Sequence, residues 1–286
     1  MIHGTIIKGI AGFYYVMAQD GVYRCKARGI FKKDGLTPLV GDNVELALNE
    51  GGDATIKSVQ ERKNEFRRPQ VSNVDCFVVV AAAAKPAPSF SVIDRFLVMA
   101  EDSGADVMIC INKIDIAGEA QIREIEEIYK GVYPVIKVSA LSGLGVDSLT
   151  ARMENGRYAL AGPSGAGKST LLNAMSPSAM AETGEISRKT QRGKHTTRHT
   201  EIFELPGHVL IYDTPGFSSF DVNGVAAEEL QHLFPEISAL YGKCRYSNCI
   251  HLKEAGCAVR EAVDAGLIHI SRYGSYKEIM GDVKGV

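Results

Sequence analysis

Over the first part of the chain, apolar and polar positions alternate in short stretches: Gly4–Ile10, Phe13–Met17, Gly21–Ala27, Asn43–Leu48 and Ala54–Val59. A period of two puts one face of each stretch inward, as in a half-buried strand. Turn-forming residues at Gln19-Asp20-Gly21, Gly41-Asp42-Asn43 and Glu50-Gly51-Gly52 separate them. Five short strands at this spacing predict a small all-β antiparallel barrel over residues 1–66, with the OB-fold as first candidate. The pattern alone does not separate that form from an SH3-like barrel.

From Asn73 the texture changes. Near-continuous apolar runs (Val74–Ala82, Val107–Ile111, Val135–Val138, Tyr158–Leu160, Val209–Tyr212) alternate with helical stretches such as Val92–Ala100 and Ile122–Tyr129. In Glu119–Tyr129 the residues Ile122, Ile125, Ile128 and Tyr129 share a face. Such alternation predicts a mainly parallel sheet covered on both sides, an α/β domain over residues 67–222. A third domain, residues 223–286, is predicted to be helical. Its helices Ala226–Leu233, Ala258–Ala265 and Ile270–Met280 flank a loop bearing cysteine and histidine. The segment is short and polar for a large core of its own, so a metal staple would help it fold.

Composition narrows the class. With 45% hydrophobic and 23% charged residues, the 286-residue chain reads as globular. Its longest apolar run, Cys76 to Ala84, has nine residues, too few to cross a membrane. MIHGTIIKGIAG, the first stretch, has no charged start followed by a long apolar core, so a cytoplasmic protein with no membrane partner is expected. A net charge of −2 gives no global nucleic-acid signature. Two basic clusters stand out: Arg188, Lys189, Arg192, Lys194 and Arg198, and a second of Arg62, Lys63, Arg67 and Arg68. Cys25, Cys76 and Cys110 lie in apolar segments and read as buried thiols.

Chemistry enters at residues 162–170, GPSGAGKST. Gly162, Gly167, Lys168 and Ser169 fit the phosphate-binding loop, directly after a predicted strand and before the helix Ser169–Met175. The backbone of Gly162, Pro163, Ser164, Gly165, Ala166 and Gly167 would turn its N–H groups onto phosphate oxygens, aided by the helix N-terminus at Lys168, Ser169 and Thr170. Lys168 would reach the β- and γ-phosphates, and Ser169 would ligate Mg2+. Asn112-Lys113-Ile114-Asp115 names the base, because a carboxylate at Asp115 accepts two hydrogen bonds that guanine offers and adenine does not. That argues against a P-loop kinase or ATPase. Ser139-Ala140, at the end of another strand, would contact the guanine oxygen. Asp213-Thr214-Pro215-Gly216 follows a strand; Asp213 would hold Mg2+ through water and the Gly216 N–H would sense the γ-phosphate. A threonine of Gly193-Lys194-His195-Thr196-Thr197-Arg198, Thr197 ahead of Thr196, would complete the Mg2+ shell. Phe217, just past Gly216, cannot orient water, so His195 or a partner must do so.

The order of these elements is rotated relative to ordinary small GTPases, which begin with the phosphate loop. Here the chain leaves the GTPase right after Gly216 and runs into the cysteine-bearing segment. That segment contains Cys244, Cys249, His251 and Cys257, three thiolates and an imidazole that match a closed, four-coordinate structural Zn2+ site.

The permuted motif order, the N-terminal barrel and the stretches GPSGAGKST, GKHTTRH, DTPGF and CRYSNCIHLKEAGCAV together resemble the RsgA family (also called YjeQ or YloQ) of circularly permuted GTPases. The resemblance covers the whole chain. It implies an OB-fold, a GTPase and a zinc domain, binding to the small ribosomal subunit and its rRNA, and a role in late subunit maturation. It also implies GTP hydrolysis stimulated by the subunit; a monomer is expected. A rival reading is a zinc-stapled RNA-binding assembly factor for which GTP only fixes a conformation.

Overall fold

The computed structural model describes residues 2–28, 31, 36–50, 53–176, 200–213, 217 and 224–284. Strands among them are β1 (Ile2–Ile10), β2 (Phe13–Ala18), β3 (Gly21–Ala27), β4 (Asn43–Leu48), β5 (Ala54–Val59), β6 (Glu65–Arg67) and β7 (Gln70–Ser72). Then come β8 (Cys76–Ala82), β9 (Asp106–Asn112), β10 (Val135–Lys137), β11 (Gly156–Ala161), β12 (Glu201–Leu205) and β13 (Val209–Asp213). The α-helices are α1 (Phe90–Asp102), α2 (Glu119–Tyr129), α3 (Val146–Thr150), α4 (Lys168–Met175), α5 (Pro235–Ser238), α6 (Ala258–Asp264) and α7 (Ile270–Lys284). By contacts the chain forms two compact units, one of Met1–Cys76, Ala151–Leu160 and Met175–Phe217, the other of Phe77–Thr150, Ala161–Ala174 and Ser218–Val286.

In the first unit the strands run β1-β2-β3-β5-β4, and β1 pairs with β4 to close the ring. All these pairings are antiparallel except β3 with β5. This connectivity is that of an OB barrel and decides between the two forms the sequence left open. Ile6, Val16, Cys25, Val44, Leu46, Ala54 and Ile56 fill its interior at no more than 1% exposure, as the alternation requires. β1 also pairs with β12 at Lys8 and Glu201, whose side chains form an ion pair of 2.7 Å. β12 is antiparallel to β13, which is parallel to β11. Neither β12 nor the β6–β7 hairpin is visible in the pattern, because three to five residues cannot establish a period.

Buried polar contacts fix these strands to the barrel. Arg157 of β11 donates to the Gly41 carbonyl at 2.9 Å and to Thr5 Oγ1 at 3.1 Å, and the Tyr212 hydroxyl of β13 donates to the Ser72 carbonyl. Asp42, fully buried, accepts from Arg62, from Ser72 Oγ and from the Leu39 N–H. The basic cluster at 62–68 therefore divides: Arg62 holds Asp42 and Glu65, Lys63 pairs with Asp75, while Arg67 and Arg68 are exposed.

In the second unit β8, β9 and β10 are neighbours, with β9 and β10 parallel. All seven residues of β8 are buried, as its unbroken apolar run demands. The third part of the sequence departs from expectation twice. Ala226–Leu233 is not a helix but a turn ending in a 3-10 segment, Leu230–Leu233. The residue before a proline is driven out of the helical region, and Phe234, before Pro235, is extended at φ −119° and ψ 98°, so the 3-10 segment stops at Leu233. The segment also builds a real core. Leu230, Phe234, Ile237, Val259, Tyr276, Ile279 and Met280 are buried together with Val98 of α1, so the metal group is not its sole support.

Candidate functional site

The phosphate-loop sequence lies between β11 and α4, as its motif requires. Gly162 has φ 135°, and a Cβ there would stand 2.4 Å from the Val80 carbonyl oxygen of β8. Gly167, at φ 96°, would bring a Cβ to 2.3 Å from Asn112 Nδ2. Only glycine satisfies both positions, so the loop is shaped by close backbone approach. Lys168 opens α4 and donates to the Gly162 and Pro163 carbonyls at 2.6 and 3.0 Å. Burial lowers its pKa, the response of an ammonium with no anion beside it. Ser164, Gly165, Ser169 and Thr170 are exposed at the loop mouth.

Asn112, the last residue of β9, joins three motifs. Its Nδ2 donates to the Ala166 carbonyl at 2.9 Å, and its Oδ1 accepts from the Lys113 N–H at 2.8 Å and the Ala140 N–H at 3.0 Å. The side chain is 2% exposed and uses both amide ends inside the protein. Asp115 is exposed in the turn that follows, whereas Ser139 and Ala140 are buried after β10. The three loops predicted to hold base and phosphates thus converge within one unit. Sequence reading gave Asn112 a place in the motif but not this bridging role, for which only the fold supplies the partners.

Asp213 ends β13 opposite Glu201. Burial first, and then the Glu201 carboxylate, push its carboxyl up, an environment a cation would relieve. Phe217 is 1% exposed and meets Phe66 edge-on with ring centroids 5.5 Å apart. His195, Thr196, Thr197, Gly216 and the basic stretch Arg188–Arg198 lie outside the described residues.

Cys244, Cys249, His251 and Cys257 form one group whose donor atoms all lie within 4.8 Å of one another. His251 Nδ1 is 3.5, 3.5 and 3.4 Å from the three sulfurs, and Cys244 Sγ is 3.9 Å from Cys257 Sγ. A tetrahedron with standard zinc bond lengths has N–S edges of about 3.5 Å and S–S edges of about 3.8 Å. The donor set therefore fits such an ion. His251 Nε2 faces Gln231 Oε1 at 3.1 Å, which fixes the tautomer that leaves Nδ1 as ligand. Burial pushes the Cys249 thiol up to about 12 and raises Cys257, so thiolates here need a cation. The loop itself is held firmly. Glu254 accepts the N–H groups of Ile250, Leu252 and Lys253, and the Tyr273 and Tyr276 hydroxyls of α7 donate to the His251 and Ile250 carbonyls. Nothing in the local sequence pointed to Gln231 or to these two tyrosines.

Comparison with known proteins gives one consistent result. The sequence model of the RsgA GTPase matches residues 59–223, and that of the RsgA N-terminal domain matches residues 3–56. The chain is 43% identical to the small ribosomal subunit biogenesis GTPase RsgA of Alkaliphilus metalliredigens, covering 99% of this chain and 98% of that protein. It is equally similar, 43%, to the protein of that name from Bacillus velezensis, with the same coverage. Among solved structures, YjeQ from Thermotoga maritima matches with a TM-score of 0.87 at 34% identity, over 100% of this chain and 99% of that one. YloQ, described as a circularly permuted GTPase, matches with a TM-score of 0.82 at 35% identity, over 100% and 96%. On this sequence, fold and motif order, the chain belongs to the RsgA family of circularly permuted GTPases.

Proposed function

We propose that this GTPase binds the small ribosomal subunit through its rRNA, acts in the subunit's late maturation in the cytoplasm, and hydrolyses GTP fastest when docked there. The observation that carries the nucleotide assignment is Asn112, which ties the phosphate loop to both base-recognition loops. GTP then lies with its phosphates on Gly162–Thr170 and its base against Asp115, Ser139 and Ala140. Ser169, Thr197 and, through water, Asp213 would hold Mg2+, which would supply positive charge against the phosphates. Lys168 holds the β- and γ-phosphates, and its lowered pKa recovers beside them.

Zn2+ is the ion proposed for Cys244, Cys249, His251 and Cys257, in a structural role, since four protein donors leave no open position. The division into 1–66, 67–222 and 223–286 is kept as barrel, GTPase and metal-binding domain, working as a monomer. An RNA-facing role for the barrel is supported by a groove of about 550 Å³ lined by Phe13, Tyr14, Arg67 and Arg68. Arg24 lies over the Phe13 ring at 3.9 Å and Lys26 at 5.0 Å, a pairing of cation and ring suited to stacked bases and phosphates. With Phe217 turned inward against Phe66, the attacking water is left to His195 or to the subunit.

The deciding experiment is GTP turnover by the full chain titrated with purified small subunits, with ATP as competitor. Turnover should rise with subunit concentration and resist ATP. Measurable but flat turnover would refute stimulation by the subunit, and no turnover at any subunit concentration would leave GTP as a conformational ligand only.

A further inference from the structure

Residues 83–89 connect β8 to α1 and touch both halves of the nucleotide site. The Ala83 N–H donates to the Asn112 carbonyl at 2.9 Å. Lys85, in the left-handed region at φ 47°, accepts a hydrogen bond from Lys113 Nζ on its carbonyl. Pro86 stands against the phosphate loop, its Cδ 3.3 Å from where a Cβ on Gly165 would be. A nucleotide that orders Lys113 and Gly165 must therefore also fix this connection.

The same connection leads, with no intervening loop, into α1, and α1 grips the metal-binding segment. Asp94, 0% exposed, accepts Arg272 Nη1 of α7 at 2.6 Å and the Tyr129 hydroxyl at 3.0 Å. Arg272, 1% exposed, also donates to Glu236 of α5 at 2.6 and 3.1 Å and lies 4.6 Å over the Phe234 ring. At the rim Arg95 pairs with Glu278 at 3.2 Å and with Asp282, and Ser91 Oγ meets Glu278 at 3.0 Å. Next to Arg272 in α7 is Tyr273, whose hydroxyl holds the carbonyl of the metal ligand His251 at 2.7 Å.

A fully buried ion pair is a poor source of net stability, because desolvating both charges offsets most of their attraction. It is, however, sharply dependent on geometry. Apolar contacts tolerate a small slide of one helix on another; a guanidinium shared by two carboxylates does not. Among the described residues Asp94 Oδ2 makes no direct hydrogen bond, and Ser275 of α7 joins Arg272 and Tyr129 in favouring the charged carboxylate, which therefore depends on α7 and Tyr129 staying in place.

We infer that α1 is a lever coupling the nucleotide site to the metal-binding segment, with Asp94 and Arg272 as its positioning pair. Nucleotide binding tightens the docking of α7 and of the loop 244–257, and by reciprocity α7 docking raises nucleotide affinity by the same factor. This rests on the assignment of the nucleotide to residues 112–115 and 162–170. It is a route separate from the chain segment after Gly216.

The test uses the full chain loaded with zinc. Nucleotide affinity is measured with a fluorescent GDP analogue. Hydrogen exchange of the amides of 270–284, and zinc release to a chelator, are followed with and without saturating GDP. Binding of GDP should slow both by about fivefold or more, the range of ordinary allosteric coupling. In the Asp94→Asn, Glu236→Gln, Arg272→Met triple variant, whose side chains keep similar volumes without buried charge, that slowing should vanish and GDP affinity should fall by the same factor. Arg95→Met, at the exposed rim, provides a second variant that leaves the buried cluster untouched, and it should reduce the slowing in part. If GDP binds the parent with normal affinity yet leaves exchange and zinc release unchanged, the lever is refuted and the nucleotide assignment stands. Full slowing retained in both variants also refutes it and places the coupling after Gly216. If Asp115→Asn and Lys168→Ala bind GDP as the parent does, the nucleotide assignment fails, and the lever with it.

Discussion

Replacing Asn112 by alanine tests whether the nucleotide loops are held by one side chain. The change deletes three hydrogen bonds of 2.8–3.0 Å. It leaves the Ala166 carbonyl and the Ala140 N–H without this partner in surroundings where those residues are 0% and 6% exposed. Each lost bond is worth about 1 kcal/mol net, and a buried group left unpaired costs about 1–3 kcal/mol, so the total is about 3–5 kcal/mol. The cost divides between fold stability and nucleotide affinity, because GTP itself reorders the loops. About half of it falling on binding weakens GTP affinity by roughly tenfold to a hundredfold. The assay is a titration with fluorescent GDP and GTP analogues, paired with urea unfolding of the nucleotide-free protein. Asn112→Asp sharpens the test: it keeps acceptors for both N–H groups but puts oxygen against the Ala166 carbonyl, 2.9 Å from the present Nδ2. It should spare Lys113 and Ala140 yet still weaken phosphate-loop binding. An Asn112→Ala protein within about twofold of the parent in GTP affinity, with an unchanged urea midpoint, would refute the bridging role, since even one lost bond of about 1 kcal/mol exceeds that.

Asp115→Asn should weaken GTP binding and favour xanthine nucleotide, because the donor and acceptor pattern is reversed; unchanged GTP affinity would remove Asp115 from base recognition. Chelating the metal, or Cys249→Ala, should release the loop 244–257 and loosen the packing of the region after 223, since zinc sites of this kind contribute roughly 10–16 kcal/mol of apparent binding energy, while GTP still binds at an affinity lowered by the coupling to α7. Hydrogen exchange over 224–284 reads this directly, and a fully protected, zinc-free segment would contradict it. Asp213 has its folded-state pKa raised by burial and by Glu201, so its protonated form is the one folding favours and that contribution is lost as pH rises through the folded pKa. Asp213→Asn should therefore raise the melting temperature of the nucleotide-free protein at neutral pH while removing Mg2+-dependent turnover, and a lower melting temperature would overturn the assignment of strain to this carboxylate. Subunit binding should weaken with salt by about 0.7–0.9 log units per phosphate contact for each tenfold rise, and Arg67→Ala with Arg68→Ala should lower that slope; a slope of zero would mean docking through protein alone.

The elements that establish a period were legible in the chain. Five barrel strands, the buried run of β8 and the face of α2 follow from spacing alone, because a strand or helix with one buried side must repeat at two or at 3.6. The motifs were legible too: a phosphate loop needs glycines where backbone is approached closely, and a tetrahedral metal needs four donors at short spacing. What the sequence could not contain is anything set by contacts between distant segments. Strand order alone made the barrel an OB-fold, through the pairing of β1 with β4 and of β3 with β5. The hairpin β6–β7 and strand β12 are too short to carry a period, and exist because neighbours complete their hydrogen bonds. The helix expected over Ala226–Leu233 is instead a turn and a 3-10 segment, which stops at Leu233 where the Phe234-Pro235 pair imposes extended backbone. Arg157, Asp42, Gln231 and the Asp94–Arg272 pair look like surface residues on paper. All became partnered, and Asp42, Asp94 and Arg272 buried, only when folding brought their acceptors and donors within reach, across separations from 20 residues for Arg62 and Asp42 to 178 for Arg272 and Asp94, because a charged group enters the interior only where tertiary structure supplies its counterpart.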